Sequence, residues 1–184
     1  EQALRELGKA GVTAMICDST NVFTPGEAGS EEGVREELER VIREYKGAGV
    51  AVAAFASNVA RLESVMMAAK ENDRSVCLVG RSMKRMVGAA KSVGLLKNIG
   101  ALLSEEEATS MPSAHVLYLC TGSQGEPRAA LSRIAAGQHR NVKFGEGDVV
   151  IFSSKIIPGN DKNIFALQNA LADDGVHIVT EKDR

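Results

Sequence analysis

Short apolar runs alternate along the chain with longer stretches whose apolar residues recur every three or four positions. The short runs fall at residues 12–17, 50–55, 75–79, 114–120, 148–153 and 176–179. Each is too short for a stable helix and predicts a strand, and runs apolar throughout suit strands covered on both faces. The longer stretches predict helices. Val34, Leu38, Val41, Ile42 and Tyr45 form one stripe behind Ser30, and Gly47 and Gly49 end it. Val59, Leu62, Val65, Met66 and Ala69 form a second behind Ser57, over residues 58–70. Met83, Met86, Val87 and Ala90 form a third behind Ser82. Serine is a favoured residue just before a helix because its oxygen accepts a free backbone N–H. Ser104 and Glu107 have the spacing of a capping box, on a short helix that stops before Pro112. Leu131 and Ile134 lie on a helix expected to open on Pro127, and Ile164, Leu167 and Leu171 on one that starts at Asn160. Residues 1–10 read as the end of a helix broken by Gly8 and Gly11, and residues 95–103 as irregular.

Strand and helix in alternation, with short connections, predict an α/β fold: a three-layer sandwich with a mostly parallel sheet flanked by helices. In such sheets ligands bind beyond the carboxyl ends of the strands. Those ends carry Asp18 to Asn21, Ser57 with Asn58, Gly80 to Ser82, Thr121 to Glu126 and Ser153 to Lys155. Nearly all are small, polar or amide-bearing, with Arg61, Arg81 and Lys155 as cations beside them. The turn Thr121-Gly122-Ser123-Gln124-Gly125-Glu126-Pro127 follows a strand and precedes a helix, where free N–H groups attract phosphate oxygens. Its spacing is neither that of a Walker loop, whose lysine is missing, nor that of the dinucleotide fingerprint. On these residues alone it is a phosphate cradle or an ordinary tight turn.

Composition narrows the classes. The chain has 184 residues, 44% of them apolar and 25% charged, with a net charge of −2. No overall basic field exists to hold nucleic acid, so any polyanion site must be local. Aromatics are only 4%, so the core must be aliphatic. Cys17, Cys77 and Cys120 fit no zinc spacing and read as buried, reduced thiols, which implies a reducing, cytoplasmic setting. His115, His139 and His177 have no second ligand at metal spacing, so no metal is assigned. No run approaches membrane length, and no signal sequence is seen.

Four ordered segments carry a family resemblance. They are Cys17-Asp18-Ser19-Thr20-Asn21, Ala56-Ser57-Asn58-Val59-Ala60-Arg61, the turn at Thr121 to Pro127 with Ala129 to Arg133, and Ser153-Ser154-Lys155-Ile156-Ile157-Pro158-Gly159-Asn160. Together they resemble ribonuclease J, the bacterial β-CASP branch of the metallo-β-lactamase superfamily. The resemblance implies a β-CASP domain inserted in a lactamase domain that holds two zinc ions. It implies RNA cleavage by metal-bound hydroxide, both endonucleolytic and 5′ to 3′ from a monophosphorylated end, and a homo-oligomeric parent. The family's His-x-His-x-Asp-His motif is absent. The chain is thus similar to the end of the first lactamase half, residues 1–20, followed by a β-CASP domain, residues 21–184, and is expected to be inactive alone.

By resemblance, Asp18 is a supporting carboxylate that orients a histidine beside the scissile phosphate; otherwise it caps its turn. Ser57, Asn58 and Arg61 suit an RNA phosphate, or else a capped helix start with a solvated arginine. Thr121, Gly122, Ser123, Gln124 and Glu126 line the expected RNA channel, with Lys155 either on backbone phosphate or in solvent. Phe55 either stacks on a base or fills the core. Arg81, Lys84 and Arg85 form a small basic cluster that a solvated helix face explains as well as RNA does. Two rival readings stand beside the nuclease: a stand-alone module for nucleotides or single-stranded RNA, and a small-molecule enzyme on a doubly wound sheet.

Overall fold

A computed structural model describes residues 2–17, 22, 23, 25, 26, 29–97 and 99–183. The helices are α1 (Gln2–Ala10), α2 (Glu31–Glu44), α3 (Val59–Glu71), α4 (Arg81–Ser92), α5 (Glu105–Ser110), α6 (Ala130–Ala135) and α7 (Asp161–Asp173). The strands are β1 (Val50–Ala53), β2 (Ser75–Val79), β3 (Leu102–Leu103), β4 (Val116–Cys120), β5 (Val149–Phe152) and β6 (His177–Val179). They form one six-stranded sheet in the order β3-β2-β4-β1-β5-β6, and every pairing is parallel. The expected sandwich is therefore present, with the sheet wholly rather than mostly parallel among the described residues.

Strand period decides which residues face which layer. Val50 stands beside Leu117 and Val149, and Val52 beside Leu119 and Ile151. All six point to the layer of α2, α3 and α4, against Ile42, Leu62, Met66 and Met83. The alternate residues Ala51, Ala53, Tyr118, Cys120, Val150 and Phe152 face α5, α6 and α7, against Leu131, Ile134 and Leu171. The crossovers divide the same way. The two that step toward β3 carry α3 and α4, and the three that step toward β6 carry α5, α6 and α7. That split is what right-handed crossovers require when the direction of travel reverses.

Several expectations need correction. Residues 12–17 form no strand in this structure; Val12, Met15 and Ile16 are exposed, and so is Cys17. A strand that apolar needs a neighbouring strand to pair with, and the six-stranded sheet does not include it. Helix α1 runs through Gly8 and buries nothing. The cap of α3 is Asn58, whose side chain accepts the Arg61 N–H, and not Ser57. Helix α4 is preceded by Gly80 with no side-chain cap, so Ser82 lies inside its first turn. Helix α6 begins at Ala130, three residues after Pro127. The predicted irregular stretch contains the two-residue edge strand β3. The capping box of Ser104 and Glu107 is formed as expected.

The pole opposite the strands' carboxyl ends is closed by one side chain. Arg74 is 4% exposed and donates to the carbonyls of Tyr45, Lys46, Ala48, Ser113 and Val116. It holds the end of α2 and the entries to β1 and β4 together. Burial lowers its pKa, and carbonyl dipoles, including those at the end of α2, answer its charge in place of a carboxylate.

Candidate nucleic-acid interface

The chain leaves β1 and β2 toward one layer and β4 and β5 toward the other, so the loops part over the middle of the sheet. Crevices at such points are where open α/β sheets hold ligands. Thr121 sits at the centre of this one. Its Oγ1 accepts the Ala130 N–H at 3.2 Å and its carbonyl accepts the Leu131 N–H at 3.0 Å, so it starts α6. Gly80, at the end of β2, has φ of +116° and packs directly on Thr121.

Beside it a hollow of about 400 Å³ is lined by Phe55, Ser57, Ser82, Arg85, Thr121, Gly122 and Glu126. Of the residues read from the sequence, Ser57, Thr121, Gly122 and Glu126 are thus brought together on one rim. Phe55 is half-buried, lies outside both core clusters and lines this hollow.

Other residues of the set hold the rim in shape. Gln124 is 3% exposed and spans two loops. Its Nε2 donates to the Lys155 carbonyl at 2.9 Å and to Ser154 Oγ at 3.2 Å, and its Oε1 accepts from Ile157 N–H at 2.9 Å and from Asn160 Nδ2 at 3.3 Å. The Gln124 N–H itself goes to Glu126 Oε2 at 3.0 Å. At Gly125 a Cβ would lie 2.4 Å from the Asn163 carbonyl carbon, so the turn rests directly on the backbone of α7. Ser123 is 2% exposed, and its Oγ has no hydrogen-bond partner among the described residues.

Arg61 and Lys155 stand apart from the hollow. Both line a wide groove of about 660 Å³ between α2 and the end of β5. The Arg61 Nε meets Glu31 Oε1 at 2.7 Å, and its Nη1 donates to the Ser153 carbonyl at 2.9 Å and Ser153 Oγ at 3.0 Å. Burial pushes the Glu31 carboxyl up, but hydrogen bonds from Arg61 and Ser64 outweigh it and hold the group below its ordinary range. The arginine expected to face solvent or phosphate is therefore engaged within the chain and is 17% exposed. Asp18 lies outside the described residues.

A larger cleft adjoins the hollow. It measures about 770 Å³ and lies between α4 and the segment from Glu126 to Asn141. Arg81, Lys84, Arg85, Arg128, Arg133 and Arg140 line it, with His139. Sequence reading found the cluster on α4 but missed its partners at 128, 133 and 140, whose signal was a basic residue recurring across the segment after the glycine turn. Among the described residues, no group of three or more His, Cys, Asp or Glu could hold a metal ion, so no step through zinc is derived from these residues. No described helix is long and apolar enough to cross a membrane.

Comparison with known proteins identifies the family. The sequence pattern of the family described as "Ribonuclease J, beta-CASP domain" matches residues 48–171. The chain is 44% identical to Ribonuclease J of Sinorhizobium meliloti over all of its own length and 32% of that protein's. It is 42% identical to Ribonuclease J of Corynebacterium glutamicum over 98% of the chain and 25% of the relative. To Ribonuclease J of Thermus thermophilus it is 38% identical, over 95% of the chain and 30% of the relative. It spans about a third of the length of these relatives or less. The match covers the sheet from β1 to α7 and includes both rim loops and the cleft, and the chain belongs to the ribonuclease J β-CASP domain family.

Proposed function

We propose that this chain is the RNA-binding β-CASP portion of a zinc-dependent ribonuclease that works in RNA processing and decay, as an endonuclease and a 5′ to 3′ exonuclease. The observation that carries it is the convergence of Ser57, Thr121, Gly122 and Glu126 on one rim of a parallel sheet, in a chain of this family. Hydroxyls and backbone amides on that rim suit the phosphates of a single strand, including a 5′-monophosphate. Phe55, half-buried at the hollow's wall, offers a face on which a base can stack.

In this reading the chain positions RNA, and hydrolysis belongs to a metallo-β-lactamase domain, whose histidines would hold two zinc ions and supply the metal-bound hydroxide. Asp18 would steady a histidine of that centre. Lys155, on the neighbouring groove, would meet the strand's backbone, with Asn58 and Gln124 keeping the loops in place. The parent enzyme would be a cytoplasmic homo-oligomer.

The test is binding and turnover together. The chain should bind 5′-monophosphorylated single-stranded RNA, Ser57→Ala with Phe55→Ala should weaken that binding, and zinc should produce no cleavage. Turnover by the chain itself would remove the division of labour, and absence of RNA binding would remove the reading.

A further inference from the structure

We propose that the arginine cleft between α4 and α6 is a second, sequence-independent track that carries the RNA chain beyond the rim hollow, one phosphate after another. This rests on the RNA reading of the rim.

The cleft's two walls come from opposite layers of the sandwich. Arg81, Lys84 and Arg85 stand on α4, and Arg128, Arg133 and Arg140 on and around α6. Among the described residues, none gives an ion pair or hydrogen bond to the side chains of Arg81, Arg85, Arg128 or Arg140. Like charges gathered around one crevice repel unless a counter-charge joins them. Four unanswered guanidinium groups in a chain of net charge −2 are a local exception to the composition.

The two carboxylates that line the cleft, Glu105 and Glu126, form no ion pair with these four. Glu105 is taken by Lys84 at 2.7 Å and by Asn141 at 3.1 Å. Glu126 holds the Gln124 N–H. Arg133 donates to the Gln138 carbonyl at 3.1 Å and keeps donors to spare. His139 adds no charge near neutrality, because burial lowers its pKa and its Nδ1 accepts the Val142 N–H.

Two further features select the occupant. Helix α4 starts at Gly80 without a side-chain cap, so the free N–H groups of its first turn open toward the same space. Among the described residues no Phe or Tyr lines the cleft, and its guanidinium and backbone donors address phosphates, contacts that carry no sequence information. Ser82, Arg85, Thr121 and Glu126 line both the hollow and the cleft, so the two are one continuous depression. A strand anchored in the hollow runs directly between the arginines.

The experiment compares 5′-phosphorylated oligouridylates of 4 and 16 nucleotides by fluorescence anisotropy over a series of salt concentrations. The variant R81Q/R128Q/R140Q changes only exposed side chains, which line the cleft and not the hollow. R43Q/K46Q/K91Q makes the same change in net charge away from the cleft. The cleft variant should lose about tenfold in affinity for the 16-mer, and its log K against log salt slope should shrink by about 2, at roughly 0.7 per phosphate contact on a single strand. Binding of the 4-mer should not change, and the control should match the wild type.

An unchanged slope and affinity for the 16-mer would overturn the track while leaving the rim reading intact. Equal loss on both lengths would make the cleft the primary site and overturn its role as an extension. If the wild type binds neither oligomer, both readings fall. Competition by poly-glutamate at equal charge, as strong as that by RNA, would assign the cleft to acidic protein segments instead.

Discussion

Gly80 and Thr121 meet across the end of the sheet so closely that a Cβ on the glycine would lie 2.6 Å from the threonine Oγ1. Gly80 also has φ of +116°, which a side chain resists. Gly80→Ala should therefore cost about 2–3 kcal/mol in urea denaturation, from strain and contact together. Adding Thr121→Ala removes the atoms it strikes. The double variant should be less destabilised than the sum of the singles, and strict additivity would show that the contact does not matter.

Gln124 should be far more sensitive than a loop glutamine usually is. Gln124→Leu leaves Ile157 N–H and the Lys155 carbonyl without their partner, at a cost of about 3 kcal/mol. Hydrogen exchange would show faster opening of the Ile157 amide, while the β4 amides stay protected.

At the other pole, Arg74→Met should cost about 3–5 kcal/mol, because five carbonyls lose a buried donor together. A shift in denaturation midpoint typical of a surface site, under about 0.5 kcal/mol, would contradict the closure described for this pole.

The Glu31–Arg61 pair predicts a direction with pH. The folded-state pKa of Glu31 is depressed, so its contribution is present above the ordinary glutamate value, near pH 4.3 (roughly). It is lost as pH falls through the lower, folded-state value. Glu31→Gln should flatten that part of the stability profile below about pH 4.3, and an identical acid limb in both proteins would show that the pair is not linked to folding.

The three cysteines should separate by reactivity. Cys17 is exposed, whereas Cys77 and Cys120 are buried. Burial pushes the Cys77 thiol up to about 12, with Glu105 adding to it, and raises Cys120 as well. A thiol reagent at neutral pH should label one cysteine in the folded chain and all three after denaturation.

The sheet was legible in the sequence because strands covered on both faces are written as unbroken apolar runs, and those from Val50 to Val79 and from Val116 to Val179 became β1, β2, β4, β5 and β6. Residues 12–17 share that signature and form no strand, since periodicity reports what a segment can bury and not whether a partner is at hand. Helix starts were misread where tertiary contacts did the capping: Asn58 displaced Ser57, and the Thr121 hydroxyl starts α6 in place of Pro127. The rim was legible as a set of polar strand ends. Its internal accounting was not, because nothing local says that Glu31 answers Arg61 or that Arg128 and Arg140 come to lie opposite Arg85.

A sheet in which every strand points the same way gives the molecule two unlike poles. One is fastened by the Arg74 guanidinium and governs whether the chain stays folded. The other collects the loops that line the hollow and the cleft. Under the proposed reading, substitutions at Arg85, Arg128 or Arg140 would retune RNA affinity without loosening the anchor on the far side, so recognition and cohesion would be free to change independently.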